Sequence, residues 1–387
     1  MVKGFIFFKE GKIPFVIENY RMELFSDEDL LSDFCKTYNF KENYTLNGQY
    51  FRNGFQGQNA CFLVEHSIGN TCYLRCYILY TLTEDSEYNA IGLQSPFLDD
   101  IFRYKYKYLE LVRSGVNLDI EPVDGYAVSF SMNDKEYESV FRLGRDNRLG
   151  LMEDFDRKGE LLVPIQSNTL RECYDVSMVY YRLAVFMTSH SDVPFKQITL
   201  YKDGREKGWF YCPLVSKDAA SGYDSFFYEL DVMKYIPRIL NNIALDSGNK
   251  ITKSIPIGHI ADFDSLFTPQ RFVEQVMAFE YLFDKLEHKK AQDRSFPLKE
   301  ELNYMFNQFP ELLSTSHASS RDISDQIKEI RRNMTHGHAY YYDFKNDIST
   351  QRLMLLLDKL IKNMSLLWIG FSKDEINEYP HLLRISS

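Results

Sequence analysis

Cysteine is scarce and poorly placed for cross-linking. The six are Cys35, Cys61, Cys72, Cys76, Cys173 and Cys212. No two are spaced as CxxC, and the closest pair is Cys72 and Cys76. Several sit in apolar runs such as NACFLVEH and YLRCYILY. This excludes the disulfide framework of a small secreted domain and argues against a structural zinc site. It predicts buried free thiols in a reducing cytosol. Proline and glycine are also few, 12 and 19 of 387 residues, as in an ordinary globular chain. Long uncharged apolar runs are missing. The N-terminal MVKGFIFFKEGKIPF is broken by Lys9, Glu10 and Lys12, which predicts no signal peptide. The most hydrophobic long segment, RLMLLLDKLIKNMSLLWIGF, carries Asp358, Lys359 and Lys362. It reads as a core helix rather than a membrane span, so a cytoplasmic location without a membrane is expected. Positive charge is in deficit: the net charge is −10, which argues against an overall nucleic-acid coat but leaves room for a small basic pocket. There is no P-loop, dinucleotide fingerprint, nucleophile elbow or internal repeat, and no cofactor is expected.

What is present is 44% hydrophobic and 26% charged, with aromatics high at 15%. A chain of 387 residues exceeds one small core and predicts two or three domains. Up to about residue 255, short strand-like runs alternate with turns and a few helices. GFIFF and PFVIEN read as a hairpin, as do ACFLVEH and CYLRCYILYTL, YAVSFSM and YESVFRL, and FKQITLY and GWFYCPLV. Helices are predicted from Ser95 onward and over LRECYDVSMVYYRLAVFMTS. Beyond 255 the pattern turns helical. Thr268-Pro269, Pro297 and Asp347 open three helices, and a fourth lies between the last two. The expected class is α+β: a mixed α/β N-terminal domain with hairpins over 1–255, then an all-α bundle over 256–387.

That fourth helix carries the chemistry. Ile323, Ile327, Ile330 and Met334 recur at helical spacing and form one apolar stripe. Asp322 stands where a cap belongs and Gly337 where a helix stops. Arg331, Arg332, Asn333, Thr335, His336 and His338 therefore crowd the last turn and its exit. At about 100° per residue, Arg332 and His336 point away from the stripe as neighbours four apart, with Arg331 on the flank. Histidine titrates near neutrality and can move the proton of a 2′-OH or of a leaving 5′-oxygen. Arginine keeps its charge and can stabilise a phosphate in the transition state.

This segment resembles the signature of HEPN domains: an arginine, four to six residues, then a histidine, often with a polar residue after the arginine. Arg331 to His336, Arg332 to His338 and Arg331 to His338 all satisfy it, and Asn333 follows Arg332; Arg332 to His336, with three residues between, departs from it. DSLFTPQRFVEQVMAFEYLFDKLE and VYYRLAVFMTSHSDVPFKQITLYKDG look like parts of ApeA-type proteins, which pair a mixed N-terminal domain with a C-terminal HEPN. The resemblance implies a metal-independent endoribonuclease that cleaves RNA, for example tRNA, in anti-phage defence. It implies a homodimer through the HEPN bundle, and a phage-derived trigger would act through the N-terminal domain. His336 is then the proton-transfer residue and Arg331 the phosphate clamp. Arg332 and Asn333 line the site, and His338 is the alternative histidine.

Other groupings compete for the same residues. His336, His338 and Asp343 could hold a metal, but no fourth ligand is near in sequence. Tyr340, Tyr341 and Tyr342 could stack on unpaired bases beside the site, or pack on the bundle. Lys105 and Lys107, interleaved with tyrosines, spread around a helix axis and read as a solvated face. The rival reading is a non-catalytic HEPN protein whose bundle dimerises while the N-terminal domain binds a ligand or protein.

Overall fold

The computed structural model describes residues 1–52, 56–81, 87–95, 97–98, 126–143, 159–188, 195, 197–213, 235–246, 267–287, 297–314, 318–337 and 342–378. The chain divides into two compact units, Met1–Tyr181 with Asp192–Tyr223, and Arg182–Ser191 with Asp224–Ser387. The boundary expected near 255, and the helix expected after Ser95 with Lys105 and Lys107, lie outside the described residues.

The first unit is built on one antiparallel sheet. Its strands are β1 (Val2–Phe8), β2 (Gly11–Glu18), β3 (Arg21–Leu24), β4 (Tyr44–Arg52), β5 (Gln56–Ile68) and β6 (Thr71–Tyr80). There follow β7 (Ala90–Gln94), β8 (Tyr126–Met132), β9 (Lys135–Leu143), β10 (Gly159–Pro164), β11 (Gln197–Lys202) and β12 (Arg205–Tyr211). All four expected hairpins form, as β1–β2, β5–β6, β8–β9 and β11–β12. The order β3-β2-β1-β4-β5-β6 closes on itself where Arg21–Glu23 pairs with Thr71–Tyr73. Further along β6, Tyr77–Tyr80 pairs with β12 instead and starts the run β12-β11-β7-β10-β9-β8.

This corrects the expected fold class. The N-terminal part is a closed six-stranded barrel with an antiparallel extension, not a mixed α/β domain. Local alternation marks hairpins, but closure depends on pairing between strands far apart in sequence. Alternation then fills the barrel: Ile6, Phe8, Ile13, Phe15, Ile17, Leu46, Phe62, Val64 and Leu79 point inward and are buried. Gly4 and Gly48 let β1 and β4 approach closely, since a Cβ at either would strike the carbonyl of Gln49 or Phe5. Helix α1 (Glu28–Tyr38) adds Phe34 to the core, with its ring 5.4 Å from Phe8. Helix α2 (Leu170–Thr188) meets β8 and β9 through Tyr180. Its ring lies 5.7 Å from Phe130 and its hydroxyl donates to Ser139 Oγ at 2.6 Å.

The described elements of the second unit are helical: α3 (Ile236–Leu245), α4 (Pro269–Glu287), α5 (Leu298–Gln308), α6 (Ser320–Thr335), α7 (Ile348–Trp368) and α8 (Lys373–Glu378). The expected all-α bundle starting at 256 is also corrected. The unit takes in Arg182–Ser191 and α3 from before that point, and its main pairings are α4 with α7 and α5 with α6. Arg182 shows why the earlier segment belongs here, because its guanidinium donates to the carbonyls of Ile243 at 2.9 Å and Asp246 at 3.2 Å. The segment expected as a core helix is α7, burying Leu353, Leu357, Leu360, Ile361 and Met364. No helix among the described residues is long and apolar enough to cross a membrane. Cys72, Cys76, Cys173 and Cys212 are buried free thiols, and Cys35 and Cys61 are half-buried. Burial pushes the Cys72 and Cys173 thiols up to about 12, so both stay protonated and inert.

Candidate functional site

Helix α6 exists because both its ends are specified locally. Ser319 is the cap: its hydroxyl accepts from the Asp322 N–H at 3.2 Å, and Asp322 accepts in return from the Ser319 N–H. Asp322, expected as the cap itself, thus sits three residues inside as the second half of a capping box. Ile323, Ile327 and Ile330 are buried as the stripe predicted, while Met334 is half-buried. At the far end the His336 N–H reaches the Arg332 carbonyl at 3.1 Å, and Gly337 follows with φ +80°. A Cβ on Gly337 would meet nothing, so only the left-handed backbone calls for glycine there.

The polar residues of this turn have different partners. Arg331 is half-buried and faces α4, where one terminal nitrogen lies 2.9 Å and 3.0 Å from the two carboxylate oxygens of Glu280. Burial raises the Glu280 carboxyl above its ordinary range; Arg331 pulls it down and Asp284, one turn on, raises it again. Arg332 is exposed and reaches Glu329 one turn back at 3.0 Å, both side chains about 60% exposed. A pair so open to water is weak and yields easily to a phosphate. Asn333 donates to the Tyr342 hydroxyl at 2.7 Å. Tyr342 in turn packs 6.2 Å from the buried Phe344, so the chain on both sides of 338–341 is anchored. His336 is exposed on the Arg332 side, and the Thr335 hydroxyl satisfies the Arg332 carbonyl at 2.9 Å.

Arg331, Arg332, Asn333 and His336 therefore share one helix end. His338, Tyr340 and Tyr341 lie outside the described residues. Asp343 is occupied by the next turn, accepting from the Asn346 N–H at 3.1 Å and its amide at 2.9 Å. Those bonds hold its carboxyl below the usual range. Sequence reasoning did not single out Glu280, and it offered Tyr342 for base stacking or for packing on the bundle; the structure shows it packed, bonded to Asn333 and beside Phe344. Glu280 stands beside the apolar positions Val276, Phe279 and Phe283, where an acid marks the edge of a packed face. Compared with known proteins, the chain matches no family model, no curated protein and no solved structure.

Proposed function

We propose that the second unit cleaves RNA at the C-terminal end of α6, as a metal-independent endoribonuclease of the HEPN type. The observation that carries this reading is one exposed helix end bearing a histidine and an arginine four apart, each accessible to a phosphate. His336 takes the 2′-OH proton or protonates the leaving 5′-oxygen. Arg332, one residue closer to His336 than the HEPN spacing, clamps the phosphate as charge builds on it in place of Arg331, which has that spacing but is bound to Glu280. Arg331 and Asn333 hold the turn in place through Glu280 and Tyr342. The physiological setting in this reading is cytoplasmic cleavage of tRNA or other RNA in anti-phage defence, with a phage-derived trigger read by the first unit.

The test is cleavage of single-stranded RNA or tRNA in EDTA, leaving 2′,3′-cyclic phosphate ends. A divalent-ion requirement for the chemical step overturns the mechanism. His336→Ala is expected to lower the rate by about 10²–10⁴-fold with the fold intact. If His336→Ala stays fully active and His338→Ala does not, the histidine is His338. A second reading has its own support, since Glu280 and Glu329 already neutralise both arginines. In that reading the helix end is structural and the chain is a non-catalytic dimerisation or binding protein. Absence of cleavage under every condition selects it.

A further inference from the structure

The outer face of the barrel carries an aromatic cluster that the core does not use. Alternation along β1 and β4 turns Phe5, Phe7 and Phe51 outward while Ile6, Phe8 and Tyr50 fill the interior. Phe7 and Phe51 remain 43% and 44% exposed. Single exposed phenylalanines are ordinary on a protein surface, but these three touch. Phe5 lies 5.6 Å from Phe7 and 5.5 Å from Phe51, both edge to face. Phe51 pairs across β5 with Gly57, which has no side chain to cover the ring. Lys12, opposite Phe7 in the β1–β2 register, holds its ammonium 4.3 Å over Phe5 and 5.8 Å from the Phe7 ring. Lys3 is exposed on the same face, two residues before Phe5.

The charge on this face runs against that of the chain. Outward side chains from Lys3 to Phe7, Lys12 to Val16 and Thr45 to Phe51 include two lysines and no acid, although the net charge is −10. Glu10 sits in the turn beyond, Glu18 lies at the far end opposite Arg21, and Glu23, opposite Val16 on β3, is paired with Arg21 at 2.7 Å. Clustered rings with part of each surface in water, rimmed by lysines, match an unpaired strand: bases stack on rings and phosphates meet ammonium groups. The strands holding the rings are fixed by closure of the barrel, so the platform is rigid before any partner arrives.

We propose that this face binds single-stranded RNA, with bases on Phe7 and Phe51, which Phe5 braces from between, and phosphates on Lys3 and Lys12. The choice of RNA rests on the ribonuclease reading. The test uses the full-length His336→Ala chain, to prevent cleavage, and a short fluorescein-labelled oligouridylate followed by anisotropy. Each ring removed is expected to weaken binding about tenfold, so Phe7→Ala with Phe51→Ala weakens it about a hundredfold. Lys3→Ala with Lys12→Ala lowers the slope of log affinity against log salt by about 1.4, and this pair decides the matter if the phenylalanine variant fails to fold. Unchanged affinity in a folded double-phenylalanine variant overturns the proposal. So does conversion of a dimer to monomer by the same substitutions, which would assign the face to a second copy. Cleavage by the native chain without binding by the His336→Ala chain sinks this surface alone. Binding through the rings without cleavage by the native chain leaves the surface standing and sinks the ribonuclease reading.

Discussion

Arg331 and Arg332 are adjacent in sequence and opposite in circumstance. One is held against a half-buried carboxylate on α4, and the other stands in water. Their substitutions should separate accordingly. Glu280 has its carboxyl raised in the fold, chiefly by burial against the pull of Arg331. Such a group favours the folded state below its unfolded pKa and withdraws that support as pH climbs through the folded one. Removing Arg331 widens the gap. Arg331→Ala is therefore expected to lower the melting temperature, and more near neutral pH than in acid where the Glu280 carboxyl is protonated. Arg332→Ala should leave melting within about 0.5 kcal/mol of the native chain, as exposed substitutions do, while abolishing cleavage. Calorimetry across pH beside a cleavage assay checks both, and equal melting losses for the two arginines would contradict the assignment of their partners.

Single elements are held by polar groups that local sequence places. The Ser319 and Asp322 capping box starts α6, and Asp347 starts α7 by accepting from the Ser349 N–H at 3.0 Å. Glu172, in the first turn of α2, does more. Its carboxylate accepts from the Ser167 N–H and hydroxyl at 2.5 Å each, the Tyr137 hydroxyl at 2.6 Å and the Gln166 N–H at 3.2 Å. Burial works to raise this carboxyl, yet the donors outweigh it and hold it below its ordinary value. A depressed carboxyl adds stability that is present above its unfolded pKa and lost as pH falls through the folded one. Glu172→Gln is expected to cost about 2 kcal/mol near neutrality, the scale of charged hydrogen bonds. It should flatten the acid limb of the first unit's stability curve. A variant that melts like the native chain at neutral pH would show that the cluster contributes nothing net.

For the whole molecule, the ribonuclease reading calls for two proton-transfer groups at one phosphate, and one helix end supplies one histidine. A two-fold axis beside α6 would supply the second. Native protein is accordingly expected to sediment as a dimer at micromolar concentration through its second unit. An active monomer would remove this requirement. Phe371 is buried within its own unit, 4.3 Å from Tyr235, with the Arg238 guanidinium 5.4 Å from its ring. A dimer contact must come from exposed side chains, such as Ile348 and Leu355 on α7.

The sequence by itself determined the elements that depend on neighbours a few residues apart. Four hairpins, α2 and the helices α4 to α7 follow from periodicity, turn residues and caps within short windows, and so does the gathering of Arg331, Arg332, Asn333 and His336 at one helix end. Strands β3, β4, β7 and β10 and helices α1 and α3 carried weaker local signals and were not singled out. Only the tertiary structure decided what long loops bring together. Closure of β3 on β6, insertion of β7 between β10 and β11, and the pairing of Arg331 with Glu280 51 residues away all join distant segments. Such pairings are chosen by the shape and burial of the whole fold, which no window of neighbouring residues contains.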